Sequence, residues 1–234
     1  MADARIPLVL VPGLLCTERL WDAQRDGLAD LADITVAEHQ LDDDIAAIAR
    51  RILDAAPERF ALAGLSMGGY ITFEMWRQAP ERITRIAFLD TRMEKDSAEE
   101  TARRKDLLAL VDRGQFTGIQ DRLMPILIHP DRLDDRELTD PVRQMALDIG
   151  KDGFVRQTKA IMGRPDYGDT ARSIDVPALV LCGREDRLTN LRMHEDMAAA
   201  IPGAKLVVLD RCGHLSTMER PDEVNRELRA WLTA

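Results

Sequence analysis

The chain has 234 residues, 45% of them apolar and 31% charged, which suits one substantial folded domain and excludes the disordered and fibrous classes. A net charge of −9 repels phosphate backbones and so argues against nucleic acid as a main partner. No apolar run reaches the roughly 18 residues that a membrane span needs, so no membrane partner is expected.

Ile6–Val11 opens the chain's regular structure as a predicted strand. The apolar stretch continues to Cys16, but Pro12-Gly13 breaks it and no small-residue cleavage site follows, so it reads as a buried strand rather than a signal peptide. Trp21, Leu28 and Leu31 then fall at roughly heptad spacing and predict a helix. A strand at Ile34–Ala37 precedes Asp42-Asp43-Asp44, whose carboxylates suit the start of a helix carrying Ile45, Ile48, Ile52 and Leu53. The strand Phe60–Leu65 leads into a helix around Glu74–Trp76 that stops at Pro80. Ile83–Leu89 is the next strand. Pro177–Cys182 and Lys205–Leu209 complete the set, and a last helix begins near Pro221. The runs at Phe60, Ile83 and Pro177 are nearly continuously apolar, as parallel strands covered on both faces should be. Strand and helix alternate, which predicts an α/β chain with a mostly parallel, doubly wound sheet of about six strands.

The alternation fails over 91–175, where only helices are predicted. Ser97-Ala-Glu-Glu100 is a capping box, and Gly114 ends the helix it opens. Phe116–Ile128 forms a second helical stretch, Thr139-Asp140-Pro141 opens a third, and Phe154–Met162 is a fourth. The expected organisation is a core of 1–90 and 176–234 with a helical cap, or lid, at 91–175. Acidic and basic residues nearly balance in that segment, so it sets no obvious charge preference for a substrate.

Gly64-Leu65-Ser66-Met67-Gly68 lies between a predicted strand and a predicted helix. That context fits a nucleophile elbow, a sharp turn that lifts a serine hydroxyl above a sheet and leaves no room for side chains two residues to either side. A serine nucleophile needs a base and an orienting carboxylate. Of four histidines, His214 follows the last strand, at the sheet end where such folds place their sites. His39 also follows a strand, but in the N-terminal half. His129 and His194 have charged neighbours and read as solvated surface residues. The acid is expected at Asp186, after the strand Pro177–Cys182, with Glu185 and Asp90 as the competitors. The oxyanion donors are expected to be the N–H groups of Met67, after the serine, and Leu14, after the first strand.

These pieces resemble the α/β-hydrolase superfamily, in its compact single-domain branch of esterases and lactonases. The resemblance rests on Val11–Trp21, Ala63–Gly69, Cys182–Leu188 and Cys212–Leu215. It implies the α/β-hydrolase fold with an inserted helical cap, and a serine hydrolase cleaving an ester, lactone or thioester through an acyl-enzyme. Perhydrolysis, C–C bond hydrolysis or lyase chemistry on the same triad, and a non-catalytic binding protein with this fold, stand as alternatives. The chain departs from the family pattern in three places. Pro12-Gly13 replaces the usual His-Gly of the oxyanion loop, Asn190 stands where a proline is common, and two opening strands are missing.

Leu14, Leu15, Trp21, Met67, Phe116, Met124, Ile126, Phe154 and Met162 are the apolar pocket candidates. Leu15, Trp21, Phe116 and Met124 are singled out for substrate contact, although apolar residues at helical spacing more often pack in a core. Arg103-Arg104-Lys105 reads as a solvated helix face or, alternatively, as a docking face for a carrier protein or a CoA phosphate. The expected partner is a small-molecule ester, with no cofactor and no metal, and the chain is expected to be a monomer or a homodimer.

Overall fold

The computed structural model describes residues 5–234. Six strands form one sheet: β1 (Ile6–Val11), β2 (Ala32–Val36), β3 (Phe60–Leu65), β4 (Ile83–Leu89), β5 (Ala178–Gly183) and β6 (Lys205–Leu209). Their order is β2-β1-β3-β4-β5-β6, and every neighbouring pair is parallel. All residues of β3 and β5 are buried, because helices cover both faces of the sheet. The edge strands β2 and β6 carry Asp33 and Lys205, charges that discourage pairing with another chain.

Helices α1 (Asp22–Gly27), α2 (Ile45–Ala55) and α3 (Met67–Gln78) precede β4. Between β4 and β5 lie α4 (Ala98–Asp112), α5 (Ile119–Leu127), α6 (Arg136–Gly163) and α7 (Gly168–Arg172). Then come α8 (Leu191–Ala200), α9 (Ser216–Glu219) and α10 (Pro221–Thr233). No helix among the described residues is long and apolar enough to cross a membrane.

Successive residues of a strand face opposite sides, and the two faces build two cores. Val9, Phe60, Leu62 and Phe88 pack with Ile48, Ile71 and Phe73 on one side. Leu8, Leu10, Ala61 and Ala63 pack with Leu228 and Trp231 on the other. A third, smaller cluster joins Val111, Ile119, Ala146, Ile149 and Phe154 of the inserted helices to Leu15 of the loop after β1.

The structure moves some expected boundaries. β2 begins at Ala32, which pairs with Ile6, and Asp33 is tolerated because the strand is an exposed edge. Pro177 stays outside β5, since it has no N–H for the ladder, but its carbonyl accepts the Ile86 N–H at 3.0 Å. The helix expected to open at Thr139-Asp140-Pro141 starts earlier, because the Asp135 carboxylate accepts the Leu138 N–H and caps it. Pro141 then lies inside α6. The expected fourth helix continues the same element across a kink at Gly150, whose φ of 70° is outside the helical region.

Candidate active site

Ser66 stands between the end of β3 and the first residue of α3, with φ 56° and ψ −115°. A side chain in that left-handed region is strained, and the glycines around it show what holds it there. A Cβ on Gly64 would lie 2.3 Å from Gly68 O, and one on Gly68 would lie 2.1 Å from Val11 O. The turn is therefore pressed against β1, and only glycine fits at either position. Thr91 Oγ1 donates to Ser66 O at 2.7 Å and ties the turn to the end of β4.

His214 Nε2 lies 2.8 Å from Ser66 Oγ, and His214 Nδ1 lies 2.8 Å from Asp186 Oδ2. Ser66, Asp186 and His214 thus form one continuous hydrogen-bonded chain. Asp186 is in turn fixed by the Leu188 and Thr189 N–H groups at 2.8 and 2.9 Å and by the Thr189 hydroxyl at 2.7 Å. Burial alone would raise the Asp186 pKa, but His214 beside it and these donors hold it below the ordinary value. Burial opposes charge on His214, yet the Asp186 carboxylate outweighs it and the pKa is raised above 6.5.

The competing acids have other partners. Glu185 Oε2 accepts the Cys212 N–H at 3.0 Å. Asp90 is wholly buried and accepts the Gly183 and Ser216 N–H groups, each at 3.1 Å. It clasps the Asp186 loop to the His214 loop, and burial, followed by the neighbouring Asp186 charge, pushes its pKa up to about 8. Glu219 is a second clasp: Oε1 accepts the Gly213 N–H at 3.0 Å and Oε2 the His129 N–H at 2.8 Å. The His214 N–H itself donates to Leu127 O, at the end of α5, at 2.8 Å.

Met67 is the first residue of α3, where an N–H has no carbonyl one turn behind it. Leu14 lies in the loop after β1 and, with Gly13 and Ser66, lines a cavity of about 560 Å³. Ile126 and Phe154 also line it, together with Leu107, Leu123 and Leu127. The four residues singled out for substrate contact are placed elsewhere. Trp21 is fully buried beside Leu20 and Leu28, and Met124 packs with Ile128 and Val142. Leu15 and Phe116 belong to the small core of the inserted helices, where the Phe116 and Phe154 rings are 6.0 Å apart. None of the four is among the residues that line the cavity.

The surface reading of two histidines is corrected. His194 is wholly buried and His129 is 8% exposed. His194 Nε2 accepts the Thr91 N–H at 3.0 Å and Nδ1 faces Asn190 O at 3.1 Å, so it joins α8 to the loop after β4. Asn190, in place of the family's proline, caps α8 by accepting the Met193 N–H at 3.3 Å. Folding places Arg92, Arg103 and Arg104 on the cavity wall beside Arg187, but Asp96, Glu99 and Glu100 pair with the first three at 2.6 to 2.8 Å, so the near balance of charge in the insert persists at the wall. Arg92 and Arg104 are organised by Asp96, at 2.8 and 2.6 Å.

Sequence reasoning missed Thr189, Asp90's clasping role, Glu219 and the pair His39–Gln157. Thr189 carried a local signal, a hydroxyl three residues after an aspartate, where it bonds back to the carboxylate. The others act across 90 or more residues, or pair loops from different elements, and have no local pattern.

The alpha/beta hydrolase family model matches residues 8–227. The chain is 26% identical over 178 residues to a 2-hydroxy-6-oxononadienedioate/2-hydroxy-6-oxononatrienedioate hydrolase of Cupriavidus pinatubonensis. That alignment covers 72% of this chain but only 60% of the relative's length. Among solved structures, a thermophilic esterase from Thermogutta terrifontis superposes with a TM-score of 0.88 at 28% identity, over 97% of this chain and 89% of that one. An enol-lactonase from Burkholderia xenovorans LB400 shares the fold, with a TM-score of 0.89 at 23% identity over 99% of this chain and 93% of its own. With its parallel six-stranded sheet and a family match that runs from β1 into α10, the chain belongs to the alpha/beta hydrolase family.

Proposed function

We propose that the chain is a cofactor-independent serine hydrolase of carboxylic esters, lactones or thioesters included. The observation that carries this reading is the hydrogen-bonded chain from Asp186 through His214 to Ser66 Oγ, opening on a cavity. His214 takes the hydroxyl proton as Ser66 Oγ attacks the substrate carbonyl. Asp186 holds the proton-bearing Nδ1 and stabilises the imidazolium that forms. The N–H groups of Leu14 and Met67 receive the oxyanion. His214 then protonates the leaving alcohol, an acyl group remains on Ser66, and water activated by the same imidazole releases the acid. Leu107, Leu123, Ile126 and Phe154 offer an apolar bed for the acyl or alcohol part, and Arg187, which unlike the other three lining arginines pairs with no carboxylate among the described residues, offers a charge to substrates with an acidic end. The helices over 91–175 act as the cap of this cavity. Three free, buried cysteines suit a reducing cytoplasm.

A second reading, C–C bond hydrolysis on the same residues, draws on the dioate hydrolases among the relatives and on Arg187 in the cavity wall. The deciding experiment labels the purified chain with a fluorophosphonate and reads intact mass and the modified peptide. One adduct on Ser66, together with turnover of 4-nitrophenyl esters that Ser66→Ala abolishes, supports the ester reading. No adduct, or one elsewhere, would sink the serine mechanism. A Ser66 adduct with turnover of a 2-hydroxy-6-oxo-dienedioate but of no ester would select the second reading.

A further inference from the structure

The loop after β1 runs Pro12-Gly13-Leu14-Leu15, and none of these side chains can hold it by a hydrogen bond. Two side chains from distant elements supply that hold. His39, in the loop after β2, places Nε2 2.9 Å from Gly13 O. Gln157, on the second half of α6, accepts the Leu15 N–H on Oε1 at 3.1 Å. Its amide nitrogen lies 3.0 Å from His39 Nε2, so the two side chains meet behind the loop. Both are buried, at 4% and 0% exposure. Leu15 has φ 59°, a strained conformation that persists only where its surroundings impose it.

The carbonyl of Gly13 and the N–H of Leu14 belong to one peptide unit. That unit is planar and trans, so the two groups point in opposite directions. Whatever fixes Gly13 O also fixes the direction of the Leu14 N–H. A donor on the carbonyl further polarises the peptide and strengthens its N–H as a donor in turn. The Cys16 N–H also donates to Gly13 O, at 3.1 Å, closing the turn from the chain itself.

We propose that His39 and Gln157 are positioning residues for the oxyanion hole: His39 donates to Gly13 O, Gln157 accepts from Leu15 N–H, and together they aim the Leu14 N–H that lies between. The inference rests on the ester-hydrolase reading above. The Leu15 N–H fixes Gln157 Oε1, so His39 Nε2 faces both a carbonyl and an amide NH₂ and can serve only one of them. The proposal assigns its hydrogen to Nε2, toward Gly13, so the Gln157 amide nitrogen touches His39 with no hydrogen bond between them. This brace stands where the Pro12-Gly13 loop lacks the family's histidine, and Gln157 makes the inserted helices part of it.

The test compares His39→Leu, His39→Gln and Gln157→Leu in the whole chain, with 4-nitrophenyl butyrate as substrate and a phenylboronic acid as mimic of the tetrahedral intermediate. His39→Leu should lower kcat about 10- to 100-fold with KM within about twofold, and weaken the boronic acid in parallel. His39→Gln, whose amide nitrogen reaches the place of Nε2, should restore kcat to within about fivefold of the parent. Gln157→Leu should repeat the kcat loss, and it keeps the test open if His39→Leu does not fold. Nitrogen-15 spectra should show Nε2 of His39 as the protonated nitrogen. An unchanged kcat in both leucine variants overturns the proposal. So do equal losses in His39→Leu and His39→Gln that track Tm, or a hydrogen on Nδ1. If the parent chain hydrolyses no ester and takes no fluorophosphonate, the ester reading itself fails and this inference falls with it. A parent that does both while the leucine variants keep full kcat removes the inference alone.

Discussion

Asp186 accepts hydrogen bonds from two backbone N–H groups, a hydroxyl and His214, and is buried. Asp186→Asn keeps the volume but presents an amide where Nδ1–H needs an acceptor, so the imidazole turns to the wrong tautomer. A loss in kcat of about 10⁴-fold is expected, with little change in Tm. A loss below tenfold, combined with a severe one in Asp90→Asn, would move the acid to Asp90. The raised pKa of His214 adds a second expectation at this scale. In the proposed mechanism His214 must be neutral to act as base, so kcat/KM should fall as pH drops, along a one-proton limb centred above 6.5. A pH–rate profile with its acid limb at or below 6.5 contradicts the assignment. Ser66, Asp186 and His214 were legible because each follows a strand end, a position that pattern reading finds well. The pocket residues were not, since helical spacing tells which face is apolar but not whether that face meets a cavity or another helix. Trp21 and Met124 fell on the wrong side of that ambiguity.

The caps and strands were the most legible elements. Ser97 and Glu100 make the reciprocal capping box that the sequence announces, with the Ser97 N–H donating to Glu100 at 2.8 Å. Asp44 caps α2, its Oδ1 accepting the Ala47 N–H at 2.9 Å. Asp44→Ala leaves that N–H without its acceptor and should cost about 1 kcal/mol, lowering Tm by roughly 2–4 °C with kcat unchanged. Thermal melts and steady-state rates check both halves. The start of α6 was misread because Thr139-Asp140-Pro141 is a good local signal overruled by a better cap at Asp135. The elbow shows the opposite case, in which long-range packing enforces a local motif. Gly68→Ala would push a methyl into Val11 O, so this one carbon should both destabilise the chain and dislocate Ser66. Circular dichroism and fluorophosphonate labelling would show an unstable, poorly labelled protein.

At the scale of the whole molecule, charge is sorted by folding in a way that counting along the chain does not reveal. The charged lining of the cavity is four arginines and one glutamate, and Asp96, Glu99 and Glu100 pair with all of the arginines but Arg187. Added salt should therefore raise KM for esters bearing a free carboxylate and leave KM for neutral esters of the same size unchanged. Equal salt dependence for both would show that the arginines serve only the scaffold. Acid stability is also a property of the whole. His39 and His194 are buried neutral, their pKa values pushed down from 6.5 to about 4 by burial. The unfolded chain binds those protons first, so this stabilisation is complete above pH 6.5 and is lost as pH falls toward 4. Asp90, whose raised pKa works in the opposite sense over the same window, masks this in Tm, so the check is the titration of each imidazole by NMR: both should stay neutral down to about pH 4, and protonation near 6.5 would mean that they are hydrated in the fold. The burial of His194, like that of His129, was not legible, because charged neighbours in sequence point away from a side chain that turns inward.

The bond from His214 N–H to Leu127 O runs between the loop that carries the imidazole and the last residue of α5. It bears on how the molecule can be re-engineered. In many enzymes an insertion over a cavity can be exchanged between relatives to transplant substrate range, as a detachable part. Here the insertion supplies a carbonyl to the backbone of His214 and, through Gln157, an acceptor to the loop facing Ser66. A graft of 91–175 from a relative would need an equivalent carbonyl and an equivalent amide in register. Without them the chimera should fold and bind while turning over slowly. Diversifying Leu107, Leu123 and Ile126 in place is the gentler route to new specificity, since those side chains face the cavity and their backbone can stay where it is.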